Sequence, residues 1–350
     1  MDNNLAPLLS EVDDLEKKIK EINLPPELKE KSLQMIQRLG RMARFGEYTT
    51  EYEKTSHYLD WISGLPWTTR SQDALDLVNA KKVLDKNHYG LDTIKERLLE
   101  YLSVLSLRKD KGGIQRAPIL CFVGLVGTGK TTIASSIAEA MGRKFARVPF
   151  GGLGDPLDLR GQSRLRPDAE PGLIIKALRR AGTKNPVILL DEIDRVSDEA
   201  LNTIMGVLVE LLDPEQNSRF IDHYIDYPFD LSQAFFVATC NNTSRIATAV
   251  MDRLEVIQMP SYTDEEKTAI GRDYLFPKAL VESGLSPKEL IISPNVWLQV
   301  VRPLGFDAGV RTLKRNIEGL CRKAAKLIFE GQTKQVVVDE SNIKQFVPQW

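Results

Sequence analysis

The chain's 350 residues allow two or three domains, and its charged residues (27%) cancel to a net charge of −1, which argues against a strongly basic nucleic-acid binder or remodeller while leaving room for a local basic patch. Its three cysteines, Cys121, Cys240 and Cys321, stand apart from one another and exclude a disulfide framework or a zinc site, fitting buried thiols in a reducing compartment. No apolar run nears the ~20 residues of a membrane span, and the polar, acidic N-terminus is unlike a signal peptide, so the expectation is a soluble, cytoplasmic protein.

Residues from about 5 to 70 read as helices. Leu8, Val12, Leu15, Ile19 and Ile22 recur at four, three, four and three, a short coiled-coil-like seam open to a packing role or, if exposed, to subunit contacts. Pro25 and Pro26 end it. Leu28, Met35, Leu39 and Met42 mark a second helix. Thr50-Glu-Tyr-Glu53 reads as a capping box opening a third, which runs through Tyr58, Leu59 and Ile62 and stops at Leu65-Pro-Trp67.

From about 72 to 258, strand-like runs alternate with helical periodicity. The strands are expected at Ile119–Val123, Phe145–Val148, Val187–Leu190, Phe235–Thr239 and Glu255–Gln258, with helices such as Leu173–Arg180 and Ala200–Leu212 between them. Alternation of this kind predicts right-handed crossovers and a parallel sheet covered on both faces, with ligands at the carboxyl ends of its strands. Thr263-Asp-Glu-Glu266 is a further capping box and opens an essentially helical tail to about 330, followed by a short strand, Val336–Val338. The fold class is α/β. The predicted domains are a helical region at 1–70, a nucleotide-binding α/β domain at 71–260 and a small helical lid at 261–350.

The most specific chemistry lies at Gly124-Leu-Val-Gly-Thr-Gly-Lys130-Thr131, which reads GxxxxGK[ST] between an apolar strand and a helix. Backbone N–H groups of Gly124, Val126, Gly127, Thr128 and Gly129 can wrap phosphates, and the helix opened by Lys130, Thr131 and Thr132 adds its positive dipole end. Lys130 neutralises the β- and γ-phosphates, and the Thr131 hydroxyl suits Mg²⁺. Val187-Ile-Leu-Leu-Asp191-Glu192 ends an apolar strand in two carboxylates. On a parallel strand next to the one feeding the phosphate loop, Asp191 can hold Mg²⁺ through its water shell and Glu192 can act as general base. Asn241 closes a later strand and can orient the water. Arg253, after the short helix Ala247–Met251, and Arg311, opening a tail helix, have the bidentate, permanent charge that suits a γ-phosphate.

Together these residues resemble the AAA+ ATPase module of the Lon protease family, the LonA type, over nearly the whole chain. The resemblance is carried by Tyr58-Leu-Asp-Trp-Ile-Ser-Gly-Leu-Pro-Trp67, His88-Tyr-Gly-Leu91, Pro118–Thr131, Leu189–Asp194, Leu211-Leu-Asp-Pro-Glu-Gln-Asn217, Asp222-His-Tyr224, Met251–Ile257 and Ala308-Gly-Val-Arg-Thr-Leu313. It implies a Walker A pair at Lys130 and Thr131 and Walker B residues at Asp191 and Glu192. It further implies sensor 1 at Asn241, a trans-acting finger at Arg253, sensor 2 at Arg311 and an adenine pocket near His88, Tyr89 and Tyr262. ATP or ADP with Mg²⁺ is the implied cofactor, and protein substrates are the implied partners. A finger that acts in trans implies the family's hexamer, with a monomer or an open assembly as alternatives for this chain.

The sequence departs from the family in two respects. Nothing in these 350 residues resembles the Pro-Lys-Asp-Gly-Pro-Ser context of the family's peptidase serine, and Ser106-Leu-Arg-Lys109 is a chance S-x-x-K at a helix end. The expectation is therefore an ATP hydrolase with no peptidase site in this chain, the protease domain being absent or separate. Secondly, the first pore loop, where the family has an aromatic and an aliphatic residue, carries Arg166 and Pro167. That leaves two expectations for function: ATP-driven unfolding and translocation of proteins, or a nucleotide-switched binding or assembly ATPase that threads nothing.

Overall fold

The structure is a computed structural model and describes residues 5–44, 50–74, 76–109, 119–302 and 309–347. In chain order its elements are helices α1 (Leu5–Glu21), α2 (Pro26–Arg44), α3 (Thr50–Gly64), α4 (Leu77–Asn87) and α5 (Asp92–Lys109), then strand β1 (Ile119–Val123), α6 (Lys130–Ala140), β2 (Phe145–Pro149), α7 (Leu157–Arg160), α8 (Leu173–Ala181), β3 (Val187–Asp191) and α9 (Leu201–Leu212). There follow β4 (Phe220–Ile221), β5 (Pro228–Phe229), β6 (Phe235–Cys240), α10 (Thr248–Met251), β7 (Leu254–Gln258), α11 (Asp264–Ile270), α12 (Phe276–Glu282), β8 (Leu290–Ile292), α13 (Trp297–Val301), α14 (Arg311–Phe329), β9 (Val336–Val338) and α15 (Ile343–Phe346).

The chain divides into two compact units. The first comprises 1–76, 103–121 and 137–255, and the second 77–102, 122–136 and 256–350. In the first, Leu8, Val12, Leu15 and Ile19 are buried, so the seam is consumed by packing of α1 on α2 and α3 and is not free for subunits. Ile22 falls past the end of α1 and is only half-buried. Proline at the first position of α2 loses nothing, since that N–H has no helical partner. The buried stripe of α2 is Leu28, Ser32, Ile36, Leu39 and Ala43, one face round from the Met35 and Met42 expected from spacing. Thr50 is already the first helical residue of α3, so the capping position before it lies outside the described residues.

The main sheet runs β2-β3-β6-β1-β7. β2, β3 and β6 pair in parallel, with Phe145 opposite Val187 and Val187 opposite Phe235. Every residue of β3 and β6 is buried, the pattern of strands covered on both faces. This order corrects one expectation. The strand ending in Asp191 is not next to β1, because β6 is inserted between them. Sequence order cannot reveal such an insertion, since β6 arrives some 45 residues after β3 by a crossover of its own.

The tail of the second unit is less purely helical than expected. β8 pairs in parallel with β9, Leu290 opposite Val336. Three residues show no usable periodicity, and Leu290–Ile292 is a strand only because β9 is there to bond it. Leu290, Val296, Val300, Ile317, Leu320, Cys321, Ala324 and Val338 belong to the buried cluster that unites this tail. At its start, Thr263 accepts the Glu266 N–H and the Glu266 side chain accepts the Thr263 N–H, the expected capping box.

Candidate nucleotide and magnesium site

In the second unit the phosphate loop joins β1 to α6. Gly127 has φ +84°, in the left-handed region that favours glycine, and its carbonyl accepts the Val310 N–H at 3.0 Å. A Cβ on Gly309 would come within 2.4 Å of the Gly127 carbonyl carbon. Two glycines therefore let the start of α14 lie directly on the loop, which brings the Arg311 backbone N and Cβ to 3.3 Å from where a Gly127 Cβ would be. The Thr128 hydroxyl donates to Leu125 O (2.9 Å), and the Tyr262 hydroxyl donates to Thr128 O (3.1 Å). Burial, then the Glu266 carboxylate, pushes Tyr262 up to about 12, so it remains a donor. The Lys130 ammonium lies within the loop, donating to Gly124 O at 2.6 Å and Leu125 O at 3.0 Å. Thr132 closes the turn by donating to Gly129 O. Thr131 is at the exposed first turn of α6, beside Lys130.

His88 is buried, and its Nε2 is 2.9 Å from Ser136 Oγ on α6. Burial, then the Lys95 charge, pushes its pKa down to about 4 against a hydrogen bond to the Thr132 backbone that favours protonation. The ring is thus neutral near pH 7 and clamps the helix that begins at Lys130. Lys95 braces the same turn by donating to His88 O (2.7 Å) and Asp85 (2.8 Å). Tyr89 is half-exposed and meets the Tyr274 ring edge-on at 6.4 Å. Tyr262, His88 and Arg311 thus attach to the phosphate loop or its helix, while Tyr89 stands out from them.

In the first unit a second cluster forms where β3 and β6 end. Asp191 is 4% exposed. Its Oδ1 accepts the Thr239 hydroxyl at 2.5 Å, and its Oδ2 accepts Arg147 Nε at 2.7 Å. Glu192 has φ +59°, a conformation that costs a side-chain-bearing residue about 1–2 kcal/mol. Its N–H donates to Thr239 Oγ1 (2.9 Å), and Arg195 Nε is 3.8 Å from its carboxylate. Asp194 accepts the backbone N–H groups of Asn241 (3.0 Å) and Asn242 (3.1 Å), fixing the turn that presents Asn241. Asp191, Glu192 and Asn241 are therefore brought together. Arg253 lies apart from them, donating to Asp213 (2.9 Å) and to Ala249 O (2.8 Å), and this pairing holds the Asp213 carboxyl below its usual range. Sequence reading missed Arg147, Thr239 and Asp194. Asp194 was visible in the acidic run Asp191–Asp194, whereas Arg147 and Thr239 carry no local signal.

Arg166 and Pro167 are exposed on the segment between Gly161 and Gly172. Neighbouring Leu165 is 92% exposed, the apolar residue most open to solvent in this segment. The base of the segment is held by Asp222, which accepts N–H groups from Gly172 (2.7 Å), Tyr224 (2.8 Å) and Ile225 (3.1 Å). Burial raises Asp222 to about 6 in spite of these bonds. Arg166 also lines a groove of about 560 Å³ with Lys54, His57, Glu170 and Tyr224.

In the second unit, a glycine cradle that a Cβ would fill, with an ammonium inside it, suits phosphate groups; in the first, a buried carboxylate with a hydroxyl partner suits a hydrated magnesium ion. Among the described residues no group of three or more His, Cys, Asp or Glu could hold a metal alone, so phosphate oxygens would have to share it. No described helix is long and apolar enough to cross a membrane.

Comparison with known proteins accords with this chemistry. The family "ATPase family associated with various cellular activities (AAA)" matches residues 120–262, and "Lon protease AAA+ ATPase lid domain" matches 281–337. Relatives include Lon protease of Heliobacterium modesticaldum, 43% identical over 97% of this chain and 41% of that protein. Lon protease 2 of Thermus thermophilus is 41% identical over 96% of this chain and 42% of its own length, and Lon protease 1 of Bacillus subtilis 42% identical over 96% and 43%. The chain thus spans well under half the length of these relatives. Residues 120–262 thus match an AAA ATPase domain and 281–337 a Lon lid domain, and nearly the whole chain is homologous to part of these Lon proteases.

Proposed function

We propose that this chain binds Mg²⁺ with ATP or ADP, hydrolyses ATP, and couples hydrolysis to unfolding and translocation of polypeptides in the cytoplasm. The observation that carries the nucleotide assignment is the approach of Gly309 to Gly127, which sets the backbone of Arg311 against a glycine-rich loop that holds the Lys130 ammonium. When bound, the magnesium nucleotide supplies the γ-phosphoryl group and neutralises part of its charge. Lys130 and the loop N–H groups would hold the β- and γ-phosphates; Thr131 would ligate Mg²⁺, and Asp191 would hold it through its water shell. Glu192 takes a proton from the attacking water, which Asn241 orients. Arg311 reports γ-phosphate charge to the lid, and Arg253 reaches a neighbouring subunit's nucleotide in a ring, a hexamer by family analogy. His88, Tyr89 and Tyr262 border the base. In this reading the working parts are 1–70, 71–260 and 261–350.

Polypeptide grip is assigned to the segment bearing Arg166 and Pro167, with the exposed Leu165 supplying apolar contact. The second reading, a nucleotide-switched assembly ATPase, is favoured by the charged Arg166 and rigid Pro167 where an apolar pair would grip better. The two separate on one experiment. Translocation requires that unfolded casein stimulate ATP hydrolysis and that a tagged fluorescent protein lose its signal in the presence of ATP. A steady ATPase rate indifferent to casein would select the switch.

A further inference from the structure

We propose that Thr239 is a positioning residue for ATP hydrolysis: its single hydroxyl sets both the carboxylate of Asp191 and the backbone of Glu192. Thr239 has no exposed surface and lies on β6, next to β3. Its Oγ1 donates to Asp191 Oδ1 at 2.5 Å and accepts the Glu192 N–H at 2.9 Å, while its carbonyl accepts the Ile193 N–H at 2.9 Å. Three consecutive residues leaving β3 are therefore bonded to one residue of β6.

Two consequences follow for the site. Arg147 holds the other Asp191 oxygen, so the hydroxyl of Thr239 completes the definition of the carboxylate plane. Glu192 sits at φ +59°, and a residue with a side chain persists there only where its surroundings over-determine it. The Thr239 hydroxyl supplies the acceptor that this turned N–H requires, and through it the direction in which the Glu192 side chain leaves the backbone.

This inference rests on the ATPase reading. Its test is Thr239→Val, which keeps the branched shape and deletes the oxygen, beside Thr239→Ser, which keeps the oxygen. In the full chain, Thr239→Val should lower kcat for Mg²⁺-ATP on the order of 10- to 100-fold, as loss of a supporting hydrogen bond behind a site does, with KM and binding of labelled ADP unchanged. Thr239→Ser should recover most of the rate. Equal loss in both variants, or wild-type kcat in Thr239→Val, would overturn the proposal. A crystal structure of Thr239→Val gives an answer independent of turnover: Glu192 should leave the left-handed region, and finding it still there would equally defeat the idea. A wild-type chain that binds nucleotide yet never hydrolyses it would instead strike the ATPase reading, leaving the backbone of Glu192 to judge Thr239.

Discussion

Glu192 combines an unfavourable backbone conformation with a carboxylate at the end of a fully buried strand, and that combination marks a residue held for use. Glu192→Gln keeps the shape and removes the proposed base. Turnover of ATP should fall by about 10²–10⁴-fold while nucleotide affinity is retained, as read by steady-state kinetics and calorimetry. Asp191 and Glu192 were legible in the sequence, because an apolar run ending in two acids after a phosphate loop has few other uses. The residues that set their geometry were not. Arg147 and Thr239 lie 44 residues before and 48 residues after Asp191, and only the sheet makes them neighbours.

Among the elements, α6 and α11 show how local chemistry fixes what the site needs. The His88–Ser136 contact holds the residue just after α4 to α6, and the burial that excludes water also keeps the imidazole neutral. Because the folded-state pKa, about 4, lies below the ordinary 6.5, the stabilisation is whole above pH 6.5 and is lost as the pH falls toward 4. Between pH 7 and pH 5 the wild-type unfolding free energy should drop by roughly 2 kcal/mol more than that of His88→Gln, measured by denaturant titration. The capping box of α11 makes a smaller claim. Thr263→Ala leaves the first-turn N–H groups of α11 short of an acceptor and should cost about 1 kcal/mol, seen as a lowered unfolding midpoint. That cap was readable because its residues are three apart. β8 was not, since its pairing partner lies 46 residues further on.

At the scale of the molecule, Arg253 poses the question of assembly. Within one chain its guanidinium is taken by Asp213 and Ala249 O, so a role on a neighbour's nucleotide requires that pairing to open. If the finger assignment holds, the wild-type rate per chain should rise with protein concentration as subunits associate, whereas Arg253→Ala should stay low throughout. A variant whose rate follows the wild-type curve would remove Arg253 from the reaction. By itself the sequence determined the α/β class, the glycine-rich loop between β1 and α6, the two carboxylates at the end of β3 and the cap of α11, because each is written in contiguous residues obeying a short-range rule of spacing or alternation. Only the tertiary structure decided the insertion of β6 beside β3, the parallel pair β8–β9, the seating of Arg311 on Gly127 and the bonds of Thr239. These depend on which distant segments hydrogen-bond to each other, a long-range choice set by packing the whole chain at once.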